Sequence, residues 1–196
     1  MNKYSQYNEE IFLNQFFGDN IGFLAEIGAA DGISNSNSRM LIEKGWSGVL
    51  VEPNIYNFQK LELLYNNNKS ILLENLGCSD NTIKSTFYID HNDEYQQISS
   101  FDLSWVEKCK RIYNCRYEEV SMDLVKASDI FERHEIHKID FLSIDTEGFD
   151  DKVIRGIDFD KVEIILICTE HESTTLVELG YKICHKTYGN IFYSKS

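Results

Sequence analysis

The sequence has little positive charge and a single proline, and both shortages narrow the classes of protein that it can encode. Its 19 Lys and Arg residues stand against 32 Asp and Glu residues, which gives a formal net charge of -13. Nucleic-acid binding depends on neutralising phosphates with Lys and Arg, so the composition disfavours a nucleic-acid partner. Pro53, the only proline, stands where a helix is predicted to begin, a position that tolerates it.

The sequence also lacks a long hydrophobic run and a Cys-x-x-Cys motif. Its most apolar stretch, residues 164–168, is far shorter than the roughly 20 residues that cross a bilayer, so no membrane segment is predicted. The polar first residues have no signal-peptide core. The five cysteines are odd in number and are interpreted as small buried hydrophobic residues in a reducing compartment. Together these features predict a cytoplasmic protein.

Stretches with strand patterns alternate with stretches of helical spacing along the chain. Strands are predicted over residues 23–27, 49–51, 70–73, 82–89, 116–122, 139–144 and 162–168, and a terminal hairpin over 181–187 and 191–194. Helices are predicted over 5–17, from a cap among 34–37 to about 44, and over 54–65, 102–112, 128–134, 153–157 and 175–179. This order predicts an α/β fold with a mostly parallel sheet and helices on both faces. We expect a single domain over residues 1–196, with an N-terminal helix within 1–18.

The most informative stretch is an apolar run that ends in the turn Gly28-x-x-x-Gly32. A second apolar run then ends at Glu52. Glycine lets the backbone approach a ligand because no Cβ atom intervenes. An acid after the next strand, about 20 residues beyond the turn, can accept hydrogen bonds from both ribose hydroxyls. The combination predicts a site for a nucleoside-bearing cofactor.

The residues of this turn indicate which cofactor it holds. Ala30 occupies the position where dinucleotide folds need a second glycine to admit a pyrophosphate. Glu26 and Asp31 repel a phosphate but suit a cation. S-adenosylmethionine carries an ammonium and a sulfonium and has no phosphate. The charges therefore favour it over NAD and FAD.

Several motifs together resemble those of the FkbM-type S-adenosylmethionine-dependent methyltransferases. They are Ser5-Gln6 with Glu9, Glu26-Ile-Gly-Ala-Ala-Asp-Gly32, Ser36-Asn-Ser38, Gly45-Trp46-Ser-Gly48, Glu52-Pro53-Asn54, Asp140-Phe-Leu-Ser-Ile-Asp145-Thr-Glu147-Gly148 and Glu170-His171. The resemblance extends over most of the chain. It implies a Rossmann-like class I methyltransferase fold, with a seven-stranded sheet that closes in an antiparallel hairpin. It also implies O-methylation of a sugar or natural-product hydroxyl.

Ligands of such sheets bind beyond the carboxyl ends of the strands, so cofactor residues are predicted where four strands end. Glu52 is central, because its carboxylate can accept hydrogen bonds from two vicinal hydroxyls. In this prediction Asn75 and Leu76 flank the adenine, and Asp145 lies near the methionine. The predicted set is Glu26, Gly28, Ala29, Asp31, Gly32, Glu52, Pro53, Asn54, Asn75, Leu76 and Asp145.

Asp145, Glu147 and His171 are the predicted catalytic residues. Methyl transfer to a hydroxyl needs an aligned acceptor oxygen and a base that takes its proton. Either Glu147 or His171 can be that base, and Asp145 lies nearest the methionine end. The same residues could bind a divalent metal, but Asp-x-Glu-Gly fits a metal-free site equally, so a metal is not favoured.

The irregular polar segment 91–116 is predicted to be an insertion that covers the acceptor, because loops on a rigid scaffold tend to carry recognition. Trp46 and Trp105 are interpreted as packing residues. The predicted contacts with a small-molecule or glycan acceptor are Tyr95, Gln96, Gln97, Ser99 and Ser100.

The leading hypothesis is an S-adenosylmethionine-dependent O-methyltransferase. One alternative is a Rossmann oxidoreductase that uses NAD or a nucleotide sugar, against which the missing second glycine counts. Another is a cofactor-binding protein without catalysis, which is disfavoured because Glu52, Asp145, Glu147 and His171 are all present.

Overall fold

The structure is a computed structural model that describes residues 4–91 and 97–195 of an α/β protein. The strands are β1 (Phe23–Ile27), β2 (Ser47–Val51), β3 (Ile71–Glu74), β4 (Gly77–Ser79), β5 (Ile83–Asp90), β6 (Tyr117–Lys126), β7 (Lys138–Ile144), β8 (Glu163–Thr169), β9 (Lys182–Lys186) and β10 (Ile191–Ser194). The helices are α1 (Glu9–Phe17), α2 (Arg39–Glu43), α3 (Ile55–Tyr65), α4 (Leu103–Tyr113), α5 (Ala127–Arg133), α6 (Asp150–Arg155) and α7 (Thr174–Glu178). None of these helices is both long enough and apolar enough to cross a bilayer.

A seven-stranded sheet forms the centre of the molecule, in the order β3-β2-β1-β7-β8-β10-β9. The first five strands are parallel, and β10 is antiparallel to both β8 and β9. The predicted fold class, with its antiparallel closing hairpin, is confirmed. The chain moves outward from β1 to β3 and later returns to place β7 on the other side of β1. Such a reversal of strand order opens a crevice at the carboxyl ends of the strands, where ligands bind.

Helices cover both faces of this sheet, because successive strand residues point to opposite sides. On one face, Leu24 and Phe141 belong to a core cluster that includes residues of α1, α2 and α3. On the other, Ala25 and Leu142 belong to a cluster that includes residues of α5, α6 and α7. All four of these strand residues are fully buried.

A second, three-stranded sheet was not anticipated from the sequence. Its order is β4-β6-β5, with β6 parallel to β4 and antiparallel to β5. Phe87 of β5 stacks on Phe101, whose ring in turn lies 5.8 Å from that of Phe149, just after β7. These contacts bring the small sheet, and with it the predicted insertion, over the carboxyl end of the large sheet.

The first two helices begin later than predicted. The helix expected from residue 5 begins at Glu9, because the Glu10 carboxylate accepts hydrogen bonds from the Tyr4 and Ser5 backbone N–H groups instead. The helix expected from a cap at 34–37 begins at Arg39. Its predicted start is occupied by a loop whose serine hydroxyls bind a strand carboxylate, as described below.

Helix α1 is tied to the turn of the terminal hairpin by Glu9, whose side chain is fully buried. Its Oε1 accepts hydrogen bonds from Thr187 Oγ1 at 2.7 Å and Asn190 Nδ2 at 3.0 Å. Its Oε2 accepts one from the Tyr7 backbone N–H. Residues near position 7 and near position 190 therefore form one continuous surface.

The tryptophans and the cysteines were predicted to be buried packing residues, and one residue of each type is not. Trp46 is buried, donates its Nε1 hydrogen bond to Asn20 O and packs edge-on against Phe17. Trp105, in contrast, is only partly buried and lines a cavity. Four cysteines are buried as predicted, but Cys184 is exposed because it lies on the edge strand β9.

Candidate active site

Two cavities open at the carboxyl ends of β1, β2 and β7, beside the reversal of strand order. The larger has a volume of about 550 Å³, and the smaller is a narrow cleft of about 50 Å³. A ligand that crosses the junction between them contacts both. The residues that line both cavities are Gly28, Ala30, Gln97, Asp145 and Glu147.

The narrow cleft is largely apolar, with one buried acid at its edge. Its walls come from the end of β2, from the start of β4 and from the aromatic contact between the two sheets. A flat, apolar ring system fits between walls of this kind. The side chains that form them include Val51, Pro53, Leu76, Phe87, Phe101 and Phe149, with Glu52 as the acid.

Gly28 brings the β1 and β7 loops into direct contact. Its φ is 89°, and its N–H donates to Val51 O at 2.9 Å, while the Asp145 N–H donates to Ile27 O at 3.0 Å. A Cβ atom at residue 28 would lie 1.9 Å from the Asp145 carbonyl oxygen. Both the backbone conformation and the packing therefore require glycine here.

Glu52 follows β2, and its carboxylate binds the turn that follows β1. Its Oε2 accepts a hydrogen bond from the Ala30 N–H and its Oε1 one from the Asn54 N–H, both at 2.7 Å. The side chain is 5% exposed, and burial raises its pKa to about 7 despite these bonds. Each carboxylate oxygen keeps a further lone pair, which a ligand hydroxyl could use.

Glu26 is the second buried acid of this region. The Ser38 hydroxyl donates a short hydrogen bond to its Oε2, and the Ser36 hydroxyl a longer one at 3.4 Å. Burial raises the pKa of Glu26 to about 7 in spite of them. These two serines are therefore engaged by β1, which explains why α2 begins only at Arg39.

The loop after β7 presents two further acids. Glu147 has a φ of 53° and Gly148 one of 90°, and the Ser100 hydroxyl donates to the Glu147 carbonyl oxygen at 2.8 Å. Burial raises the pKa of Asp145 well above its usual range, and the nearby Glu170 raises it further. The loop thus holds Asp145 and Glu147 at the junction of the cavities.

A third group of titratable side chains lies beside this loop. One ligand atom each of Asp150, Glu170 and His171 lies within 4.8 Å of the others. Both Asp150 oxygens already accept backbone hydrogen bonds, from the N–H groups of Thr146 and Glu170. These three residues therefore differ from the predicted metal ligands Asp145, Glu147 and His171. The Asp150 carboxylate is also largely occupied by its hydrogen bonds.

Residues 26–183 match the family model described as the methyltransferase FkbM domain. The chain belongs to the FkbM methyltransferase family. The comparison with curated protein sequences finds no significant match.

Solved methyltransferase structures share the fold. An FkbM methyltransferase from Methylobacillus flagellatus has a TM-score of 0.57 and 16% identity, with 97% of this chain and 48% of that chain covered. This chain therefore spans about half the length of that relative. M. capricolum TrmK in complex with S-adenosyl-homocysteine has a TM-score of 0.53 and 12% identity, over 99% of this chain and 70% of that one. A putative caffeoyl-CoA O-methyltransferase from Staphylococcus aureus has a TM-score of 0.53 and 11% identity, over 100% and 86%.

Most of the cofactor residues predicted for this FkbM chain lie together. Asp31 and Gly32 stand outside the lining of both cavities: the Asp31 carboxylate accepts hydrogen bonds within its own turn, and Gly32 packs against Leu61. Asn54 caps α3, and Asn75 donates to the backbone carbonyl of Glu52, so both hold their neighbour in place. Those that line a cavity are Glu26, Gly28, Ala29, Glu52, Pro53, Leu76 and Asp145.

The predicted catalytic residues are divided by the structure. Asp145 and Glu147 line both cavities, whereas the His171 side chain is 64% exposed and stands outside the lining. Its Nδ1 lies 3.5 Å from Glu170 Oε2. The geometry therefore favours Glu147 over His171 as the group that can reach a bound acceptor.

The predicted acceptor contacts take several positions. Gln97 lines both cavities, where its side chain bonds Asn35 and the Ser34 carbonyl oxygen. Ser99 lines the narrow cleft, and Ser100 is buried with its hydroxyl on the Glu147 loop. Tyr95 and Gln96 lie outside the described residues. Contact of any of these with an acceptor stays a prediction.

Several lining residues of the larger cavity were not assigned to the site from the sequence. Asp90 ends β5, Trp105 and Tyr113 lie on α4, and Glu170 directly follows β8. Of these residues, only Glu170 had a signal in the sequence, because it is an acid at a strand end next to His171. That signal indicated Glu170 as much as His171.

The buried acids predict an unusual dependence of stability on pH. A carboxyl whose pKa is about 7 in the folded protein and 4.5 in the unfolded chain binds its proton more tightly when folded. Its contribution is fully present below pH 4.5 and is lost as the pH rises towards 7. The shift corresponds to about 3 kcal/mol for a single such group. We expect the free energy of unfolding in urea to fall between pH 5 and pH 7.5.

The variant Glu26→Gln tests this expectation, because it cannot ionise yet keeps an oxygen for Ser38. Its unfolding free energy should fall less steeply over the same pH range than that of the parent protein. The matched variant Glu62→Gln, at an exposed position of α3, should keep the parent slope. Equal slopes for Glu26→Gln and the parent protein would contradict the assignment.

Proposed function

We propose that the protein transfers a methyl group from S-adenosylmethionine to a hydroxyl oxygen of a small-molecule or glycan acceptor. The observation that carries the proposal is the pair of cavities that meet at Gly28, Asp145 and Glu147. One cavity suits a nucleoside and the other is large enough for a second reactant. The relative from M. capricolum is bound to S-adenosyl-homocysteine, which supports the choice of cofactor.

In this proposal the narrow cleft takes the adenosine. The apolar walls at Val51, Leu76 and Phe101 would enclose the purine, and the cleft would have to widen to admit it. The remaining lone pairs of Glu52 would accept the ribose hydroxyls. Ala30, in place of a glycine, and the surrounding acids disfavour a pyrophosphate.

The methionine part would then cross the junction into the larger cavity. Glu26 and Asp145 lie where they can bind its ammonium group, and a positive charge beside them favours their ionised forms. The cofactor supplies an electrophilic methyl group on a positively charged sulfur. The protein's task is to align the acceptor oxygen with that methyl group and to remove the hydroxyl proton.

Glu147 is the residue that we assign to proton removal. It lines both cavities, so its carboxylate can reach a hydroxyl placed at their junction. As the oxygen–methyl bond forms and the carbon–sulfur bond breaks, the hydroxyl proton passes to Glu147 and the neutral thioether leaves. Asp145 remains beside the sulfur, where a carboxylate stabilises positive charge.

Thermal unfolding with S-adenosyl-homocysteine, with NAD as the control, tests the cofactor. At about a hundredfold excess over its dissociation constant, a ligand of the folded state adds roughly 2.7 kcal/mol of stability. We expect a clear rise in Tm with S-adenosyl-homocysteine and none with NAD. A rise with NAD alone, or with neither, would refute the proposal.

The variant Glu147→Gln should keep the rise in Tm with S-adenosyl-homocysteine but lose transfer of labelled methyl groups to the small-molecule fraction of a cell extract.

A further inference from the structure

The ionisable side chains among the described residues that line the larger cavity are mostly carboxylic acids. Its carboxyl groups come from four places: β1, the end of β5, the loop after β7 and the residue that follows β8. None of the described residues that line it is Lys, Arg or His, and residues 92–96, which lie outside the description, include none of these by sequence. The carboxyl groups belong to Glu26, Asp90, Asp145, Glu147 and Glu170.

Two buried oxygen atoms in this wall lack a hydrogen-bond donor. Asn37 is 4% exposed and lines the cavity; its Nδ2 donates weakly to Ser143 Oγ at 3.3 Å, while its Oδ1 accepts nothing. Glu170 Oε2 is shielded from solvent and accepts no hydrogen bond from the described residues, although His171 Nδ1 lies 3.5 Å from it. Buried polar atoms are almost always satisfied, so these two oxygens point to a ligand that brings N–H or O–H groups.

Helix α4 contributes two aromatic side chains to the same cavity. Trp105 and Tyr113 line it, and the Trp105 Nε1 is buried without an acceptor. An indole face attracts cations, and the exposed Lys108 already places its ammonium 4.8 Å from the centre of the Trp105 ring. Lys108 itself stands outside the lining. The indole N–H can donate to an oxygen, so the Trp105 Nε1 suits a hydroxyl of the ligand.

The cofactor accounts for only part of these groups. Its ammonium would use Glu26 and Asp145, which leaves Glu170 and the Trp105 Nε1 for a second reactant. An acceptor that carries phosphate or carboxylate would meet like charges there, with no described basic side chain in the lining to compensate. An acceptor with several donors and a positive charge would satisfy both orphaned oxygens.

We propose that the acceptor carries a protonated amine near the hydroxyl that is methylated, as an amino sugar does, and that Glu170 binds this amine. The inference rests on the proposed methyl-transfer function, because it needs the cofactor to engage Glu26 and Asp145. It excludes nucleotide-linked and carboxylated sugars as acceptors. Asn37 Oδ1 accepts a hydroxyl of the same ring.

The experiment measures binding of three matched sugars by ligand-observed NMR at pH 7, with the protein saturated by S-adenosyl-homocysteine. D-Glucosamine, D-glucose and D-glucuronate share one ring and differ in charge. We expect glucosamine to bind at least tenfold more tightly than glucose, and glucuronate to show no saturable binding. In Glu170→Gln the preference for glucosamine should fall to less than threefold. The control Glu178→Gln, at an exposed position of α7, should retain it.

Three results would overturn the inference. They are binding of glucuronate as tight as that of glucosamine, a full preference for glucosamine in Glu170→Gln, and no saturable binding of glucosamine at millimolar concentration. The rise in Tm with S-adenosyl-homocysteine is recorded for every variant in the same buffer. If the rise is present while the sugar preference is absent, the inference fails and the proposed function stands. If the rise is absent, the proposed function fails as well.

Discussion

Replacing Gly28 with alanine should cost about 2–5 kcal/mol of folding free energy. The new Cβ would lie 1.9 Å from the Asp145 carbonyl oxygen, and a backbone atom cannot rotate away as a side chain can. The φ of 89° adds a penalty of about 1–2 kcal/mol for any residue with a Cβ. Forced overpacking adds roughly 1–3 kcal/mol. Urea unfolding of Gly28→Ala against the parent protein measures the loss.

Gly180 provides a matched control for this change. Its φ of 87° is almost the same, but a Cβ built on it meets nothing within 4 Å. Gly180→Ala should therefore show the conformational penalty alone, about 1–2 kcal/mol. The difference between the two variants reports the contact between the β1 and β7 loops. Equal losses of folding free energy in the two variants would mean that the β1 and β7 loops are less tightly packed than in the structure.

Glu52→Gln should weaken binding of S-adenosyl-homocysteine roughly 10- to 100-fold, which corresponds to the loss of a hydrogen bond to a charged group. The carboxylate accepts N–H bonds from Ala30 and Asn54 through separate oxygens. An amide has one oxygen, so its NH₂ group would face the second N–H donor. The stability of the unliganded protein should also fall, by about 1–3 kcal/mol.

Isothermal titration calorimetry measures the affinity, and Glu62→Gln serves as the control with the same change of chemistry at an exposed site. The control should bind as the parent does. If Glu52→Gln binds S-adenosyl-homocysteine with parental affinity, Glu52 only stabilises the turn after β1 and does not bind the cofactor. The ribose would then have to be held elsewhere.

The position of the narrow cleft could be predicted from the sequence because its determinants are local. Gly28 and Glu52 each follow a short apolar strand, and parallel strands bring their carboxyl ends to the same edge. The roles of Asp31 and Asn75 were harder to foresee. A short polar side chain next to a turn can bind nearby backbone as readily as a ligand. Asp31 accepts hydrogen bonds from its own turn, and Asn75 donates to the Glu52 carbonyl oxygen at the end of the neighbouring strand.

The α4 side of the larger cavity could not be predicted in this way. Trp105 and Tyr113 lie on a short amphipathic helix whose pattern is that of an ordinary packing helix. They reach the cavity only because the three-stranded sheet folds over the large one, and its β4–β6 pairing joins segments some 45 residues apart. Long-range pairing of this kind leaves no periodicity in the sequence.

The buried Glu9 has a consequence for synthesis of the chain. Gln6 and Tyr7 form a wall of the larger cavity together with Gly189 and Asn190, and the Glu9 carboxylate holds the two segments together. On the ribosome, the first of these segments emerges long before the second. Strands β1 to β3 can associate earlier, but this wall cannot close until residues 187–190 have left the exit tunnel. The residues that line the narrow cleft all leave the ribosome before residues 189 and 190, so translation itself sets the order in which the narrow cleft and the larger cavity can be completed.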